Sequence, residues 1–345
     1  MTRKPFSVPL ASPLSTAAGD IESREGYLVE YDHRGVTGIG EATPLPGWTE
    51  SLEECAAGLD RALEAGADGE HSTALLELDA SETPAARHGF ATALLDADAR
   101  ADGIPLYRWF HDHHRGAVPV NATVGHVDPA ETVAAVENAV DAGFESVKIK
   151  VGVEGVEADL DRVRAVRDAV GADVTLRLDA NGGWTRAEAE RAFAELADLG
   201  VEYVEQPLPA GDLDGLADLR GRGVGVAVDE TLAERSMAEV FDARAADVVV
   251  LKPMVLGGPG NAHTLAMRAR DEGIEPVVTT TVDAVVARTA AVHVAAAIPD
   301  VSPCGLATAD LLAEDLGPDP APVSDGQISV PQDPGLGVDL AEEWA

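Results

Sequence analysis

Residues 174–179 read VTLRLD, a short β-branched and leucine-rich run that ends on an acid. The pattern recurs on both sides. Upstream lie VPVNATV (118–124) and SVKIKV (146–151). Downstream lie VEYVEQ (201–206), GVAVDE (225–230), DVVVLK (247–252), EPVVTT (275–280) and a short VSPCGL (301–306). Ala-rich segments with helical apolar spacing fit the gaps. Strands alternating with helices specify parallel βαβ units. Eight such strands in about 190 residues specify a (β/α)8 barrel, slightly compact for its class. A doubly wound open sheet would use the same units, but it gives no reason to end five successive strands on charged residues.

Those five residues are Lys150, Asp179, Glu205, Asp229 and Lys252, spaced by 29, 26, 24 and 23. In a barrel of this kind the side chains that do chemistry project from the C-terminal ends of strands. The lysines stand out because the chain has only four: Lys4, Lys148, Lys150 and Lys252, beside 21 arginines. Lysine is thus kept where an amine must lose and regain a proton, which arginine does not do in proteins.

Three carboxylates aimed into one space repel one another, and a hard divalent cation resolves that. Asp179, Glu205 and Asp229 with room for water and substrate oxygens suit Mg²⁺, with Mn²⁺ as a substitute. Lys150 would end strand two and Lys252 strand six, on opposite sides of the metal. Lys148 and Lys150 are two apart on one strand and face the same side; Lys150 is nearer the mouth and is the better base, with Arg177 expected beside it. Asn181 and Glu230, in RLDAN and VDE, are expected around the metal acids. The parts describe removal of a proton alpha to a carboxylate and electrostatic stabilisation of the resulting enediolate.

Before the barrel, residues 1–115 read as a separate α+β unit. Phe6–Leu10, Gly26–Tyr31 and Val36–Glu41 are candidate strands of an antiparallel meander, followed by helical patterns at about 49–65 and 84–102. The barrel is expected over 116–306. The tail, 307–345, is rich in Pro, Gly and Asp, has no further βαβ unit and is expected to run back over the first unit.

The formal charge is −36, from 61 acidic and 25 basic residues. Nucleic acids and acidic membranes require basic patches, so neither is an expected partner. A hydrophobic content of 46% with regular apolar patterning excludes disorder. Few lysines and many acids match adaptation to high salt, where a Debye length of about 3 Å at molar strength screens carboxylate repulsion. No apolar run approaches a membrane span, and MTRKPFSVPLASPL lacks the apolar centre of a signal peptide. Cys55 and Cys304 make no disulfide framework. A soluble cytoplasmic protein, monomer or homo-oligomer, acting on a small-molecule carboxylate is expected.

Other segments carry less. GGPGN (257–261) lacks GK[ST] and reads as a strand-to-helix turn rather than a phosphate loop. His111, His113 and His114 have no cysteine partners, and His293 lies in an Ala-rich helix. No histidine is expected at a strand end with an Asp beside it. Cys304 reads as a small residue of the pocket wall.

KIK, RLDAN, VEQP, VDE and LKP, in that order, resemble the muconate-lactonising subgroup of the enolase superfamily over nearly the whole chain. That resemblance implies a modified (β/α)8 TIM barrel with an α+β capping domain built from the N-terminal region and the C-terminal tail. It implies Lys150 as general base and then acid, Lys252 as stabiliser of the enediolate from the other face, and Asp179, Glu205 and Asp229 as Mg²⁺ ligands. VPLASPLSTAAGDIESREGYLVEY, GIGEATPLPGWTESLEE and FATALLDADARADGIPLY resemble the o-succinylbenzoate synthases of menaquinone biosynthesis. These are lyases that dehydrate 2-succinyl-6-hydroxy-2,4-cyclohexadiene-1-carboxylate to 2-succinylbenzoate. The resemblance further implies that the loop with Ser15, Thr16 and Gly19 folds over the mouth, and that Thr279, Thr280, Cys304, Gly305 and Leu306 line the distal pocket. N-acylamino acid racemase, dipeptide epimerase and muconate cycloisomerase are the alternatives in the same superfamily. A dipeptide epimerase would be expected to carry D-x-D on strand eight, where this chain has CGLAT.

Overall fold

A computed structural model describes residues 2–16, 19–66, 71–111, 115–342 and 344. The chain begins with strands β1 (Thr2–Thr16), β2 (Gly19–His33) and β3 (Val36–Ala42), in antiparallel order β1-β2-β3. β1 and β2 are much longer than their apolar segments suggest; a register shift between Pro9 and Leu14 divides β1. Helices α1 (Leu52–Ala65), α2 (His71–Leu76), α3 (Pro84–Asp102) and α4 (Tyr107–Phe110) follow. Ser51 and Glu54 form a capping box at the start of α1, and Gly103 ends α3 in the left-handed conformation. α3 lies directly on β3. A Cβ on Gly38 would come within 2.0 Å of Ala93 O, and one on Gly40 within 1.9 Å of Gly89 O, so glycine sets this close approach.

The barrel elements are β4 (Ala117–Pro119), β5 (Ala122–Val124), α5 (Pro129–Asp141), β6 (Ser146–Lys150), α6 (Val156–Val170), β7 (Thr175–Asp179), α7 (Arg186–Asp198), β8 (Val201–Glu205), α8 (Leu213–Leu219), β9 (Gly225–Val228), α9 (Thr231–Glu234), α10 (Met237–Ala243), β10 (Val248–Leu251), α11 (Pro259–Asp271), β11 (Glu275–Val278) and α12 (Val285–Ala296). Among the described residues, β5 to β11 form one parallel sheet in sequence order. Single bridges close it: Cys304 pairs with Val120 and Gly305 with Thr279. The eighth strand is thus a two-residue seam, and a 3-10 turn at Ala309–Leu311 follows it where a regular barrel has a helix.

Side chains alternate across these strands. Val147, Ile149, Leu176, Leu178, Val204 and Val226 join the outer core with residues of the surrounding helices. Tyr203, Ala227, Val248, Val250 and Val277 form a second cluster on the other face of the strands.

The segment read as one strand at 118–124 is divided. Its first part, β4, pairs with the C-terminal hairpin of β12 (Val323–Ser324) and β13 (Gln327–Ser329), and only β5 joins the barrel sheet. The tail then reaches the cap. Buried Asp96 of α3 accepts the N–H of Leu336 at 2.7 Å and that of Ile39 at 2.9 Å. Leu336, Val338 and Trp344 pack with Phe6 and Leu28. Among the described residues no helix is long and apolar enough to cross a membrane.

Candidate active site

The sheet register builds the site. Lys150 is paired with Asp179, and Asp179 with Glu205, at the last residues of β6, β7 and β8. Asp229 and Lys252 stand one residue beyond β9 and β10. Neighbouring strands lie about 4.8 Å apart, so the three acids occupy consecutive steps of one rim. All three are buried.

Each carboxylate is engaged by an ammonium. Lys150 Nζ donates to Asp179 Oδ2 at 2.7 Å and to Asn181 Oδ1 at 2.8 Å. Lys148 Nζ donates to both oxygens of Glu205, at 3.0 and 2.9 Å, and lies 3.3 Å from Asp179 Oδ2. Lys252 Nζ donates to Asp229 Oδ2 at 2.6 Å. Asn181 passes the chain on, its Nδ2 donating to Glu230 Oε1 at 2.8 Å. Gln206 Oε1 accepts the N–H groups of Asp229 and Thr231 and so fixes the turn after β9.

The charges act on one another. Burial, then the negative charge of Asp179, pushes Glu205 up to about 8 against the pull of Lys148. Burial would raise Asp179 too, but Lys148 and Lys150 outweigh it and hold that carboxyl well below the usual range. Burial disfavours the Lys148 ammonium, yet Glu205 and Asp179 lift its pKa well above the ordinary lysine value.

The three acids share a rim, but their oxygens are turned to lysines. Among the described residues no three His, Cys, Asp or Glu groups converge into a formed cation cage. Buried carboxylates take the nearest ammonium as counter-charge. The donor set nevertheless fits a hard cation. It is all oxygen, it comes from three adjacent strands, and Asp229 Oδ1 is buried with no hydrogen-bond partner.

Other expected residues fall differently. Arg177 is paired with Lys148, one step below Lys150. Its Nε donates to Glu202 at 2.6 Å, its Nη1 to Asn121 and Pro303 O, and it lies over the Tyr203 ring. It ties barrel strands together and does not stand beside Lys150. Cys304, expected in the pocket wall, is fully buried in the outer core; burial pushes its thiol up to about 12. Leu306 is buried in the same cluster. Thr279 Oγ1 donates to Gly305 O at 2.8 Å, and Thr280 Oγ1 meets Thr308 Oγ1 at 3.1 Å, so both hydroxyls are engaged in the closing seam. Ser15 and Thr16 end β1 and Gly19 opens β2 at the hairpin tip; Ala17 and Ala18 lie outside the described residues, as do His113 and His114. His293 is fully buried between the Tyr107 N–H and Leu336 O.

Two neighbours of the site were not foreseen. His126, two residues past β5, lies 3.6 Å from Glu154 and 2.9 Å from Arg162, and Arg162 also donates to Lys150 O. Trp48, from the cap, lies on Lys252 with Nζ 3.4 Å from the ring centroid. Its only sequence signal was its place in PLPGWTE.

The fold is a capped barrel whose strand ends carry a rim of paired lysines and carboxylates. Residues 131–344 match the family model described as enolase C-terminal domain-like, and residues 4–97 match MenC, N-terminal domain. The chain belongs to the enolase superfamily. It is 31% identical over 346 residues to L-Ala-D/L-Glu epimerase of Bacillus subtilis, covering 96% of this chain and 94% of that protein. It is 41% identical over 211 residues to o-succinylbenzoate synthase of Thermobifida fusca, covering 60% of this chain and 64% of that protein. The structure of a dipeptide epimerase from Enterococcus faecalis, complexed with Mg and L-Leu-L-Tyr, superposes with a TM-score of 0.86 at 28% identity, covering 97% of this chain and 98% of that one.

Proposed function

We propose that this enzyme is an o-succinylbenzoate synthase. The reaction class is carried by one observation: Lys150 and Lys252 stand four strands apart in an eight-strand ring, with three buried carboxylates on the strands between them. Lys150 removes the proton alpha to the ring carboxylate of 2-succinyl-6-hydroxy-2,4-cyclohexadiene-1-carboxylate. Lys252, across the ring of strands, holds the negative charge that develops on the carboxylate oxygens. Asp179, Glu205 and Asp229 would hold Mg²⁺ or Mn²⁺, which when bound supplies positive charge to the substrate carboxylate. Lys150 then gives its proton to the departing hydroxyl, the carbon–oxygen bond breaks, water leaves and the ring becomes aromatic.

Two further facts support dehydration. The cap matches the MenC N-terminal model over 4–97. The eighth strand ends in Cys304, Gly305 and Leu306, with no acid to meet a substrate ammonium, and the next acid, Asp310, is exposed. The full-length similarity to a dipeptide epimerase favours a second reading, racemisation or epimerisation of an acylamino acid or dipeptide, in which both lysines move protons. Steady-state assay of the Mg²⁺-loaded protein in molar KCl decides between them. The cyclohexadiene carboxylate is compared with N-succinylamino acids and dipeptides, and preferred turnover of either of the latter overturns the dehydratase reading.

A further inference from the structure

Trp48 belongs to the cap and Lys252 to the barrel, yet the Lys252 ammonium lies 3.4 Å from the centre of the Trp48 ring. The same ammonium donates to Asp229 Oδ2 at 2.6 Å. An ionic partner and an aromatic face therefore hold the head of a flexible four-carbon side chain together.

The segment that carries Trp48 is tied down along its length. Gly47 takes φ +84, and the N–H groups of Trp48 and Thr49 both donate to Leu45 O at 3.0 Å. The Leu45 N–H donates to Thr49 Oγ1 at 2.8 Å. Upstream, buried Arg24 donates to Thr43 O at 2.9 Å, to Pro44 O at 3.2 Å and, across to the barrel, to Val282 O at 3.2 Å. Downstream, Glu50 accepts the N–H groups of Ala85 and Ala86 in the first turn of α3, at 3.0 and 2.8 Å. The indole is thus presented to Lys252 by a fastened turn.

We infer that Trp48 is a positioning residue for Lys252: the cap holds the second lysine of the site in place through the face of this indole. The inference rests on the reading in which Lys252 stabilises developing charge. A lysine freed from the ring would sample rotamers that leave the substrate carboxylate without its cation, so turnover would fall while substrate binding by the remaining groups persisted.

Two measurements on the full chain test this. The first does not depend on activity. With only four lysines in the protein, selective ¹³C labelling of lysine gives few signals, and Lys252→Arg assigns one of them. The Lys252 methylene next to the nitrogen should resonate upfield through the indole ring current and move downfield in Trp48→Leu. An unshifted signal in the wild-type protein overturns the inference. The second is a double-mutant cycle. Trp48→Leu should lower kcat at least about tenfold with KM within about twofold, and Trp48→Phe, which keeps an aromatic face, should restore most of the loss. In a Lys252→Ala background Trp48→Leu should cost nothing further. A rise in KM with additive losses would make Trp48 a wall of the substrate pocket and overturn the inference. Unchanged turnover in Lys252→Ala alone would instead remove the proposed role of Lys252, while the lysine signal still reports the contact.

Discussion

Glu41 Oε1 in the cap accepts the backbone N–H of Ala284 in the barrel at 2.9 Å, across 243 residues of chain. Glu41 Oε2 accepts the Ala287 N–H, also at 2.9 Å, and the Thr43 hydroxyl donates to Oε1. One buried carboxyl thus joins the cap to the first turn of α12.

That position makes stability depend on pH in a specific direction. Burial, reinforced by the charge of Asp283, pushes Glu41 up to about 7. Its folded-state pKa therefore lies above the unfolded value of about 4.3. The bound proton favours the folded state, so this contribution is whole below the unfolded pKa and is lost as pH rises through about 7. Urea unfolding at fixed molar KCl should show the wild-type free energy falling relative to that of Glu41→Gln between about pH 4.3 and about pH 7, by up to roughly 4 kcal/mol. A difference that stays level, or rises with pH, contradicts the assignment.

Replacing Lys150 by arginine keeps the positive charge beside Asp179 but removes the base. Turnover of the preferred substrate should fall at least about a hundredfold, the lower range for loss of general acid–base catalysis. Thermal unfolding should stay near wild type. Near-normal turnover would move the base elsewhere, with Lys252 first in line.

Asp229 carries a buried oxygen, Oδ1, with no hydrogen-bond partner. Asp229→Asn should weaken Mg²⁺ binding by at least about tenfold, since even the groups that support a metal ligand matter at that level. Calorimetric titration in molar KCl measures this directly. Equal Mg²⁺ affinity in the variant and the wild type would remove Asp229 from the ligand set.

The charge of −36 predicts a folded state that needs salt. The thermal midpoint should climb steeply between dilute buffer and about molar KCl, as the Debye length contracts from about 30 to about 3 Å. A flat midpoint would refute salt adaptation and leave the chemistry untouched.

The sequence exposed the rim well because each strand there ends on a charge that its apolar body cannot explain. β7 and β8 do end on Asp179 and Glu205, and β6 on Lys150. What it hid was pairing at a distance. Val118 continues the apolar run of strand one, yet it pairs with Ile328 of the tail, which no local pattern encodes. The eighth strand is too short to announce itself, because only Cys304 and Gly305 make bridges. Arg177 was expected beside Lys150 because it matches the arginine of an R-x-D pattern, but the parallel register sets it against Lys148, one layer deeper. Trp48 reads as a loop aromatic until the fold brings it onto a lysine from another domain.

The last prediction separates dehydration from racemisation. Both begin with proton removal by a lysine, so exchange of the substrate proton with solvent deuterium cannot decide between them. Dehydration needs base and leaving group served on one face, which Lys150 alone supplies. Racemisation needs a proton delivered to either face, so Lys252 must also exchange protons with the substrate carbon. Lys252 is held by Asp229 at 2.6 Å and by the Trp48 ring, so its head is fixed from two sides. The expected result is a kcat/KM for dehydration at least about a hundredfold above that for any N-succinylamino acid, or roughly 2.7 kcal/mol of transition-state stabilisation. Comparable values would establish a dual-function enzyme, and the reverse order would make racemisation its principal reaction.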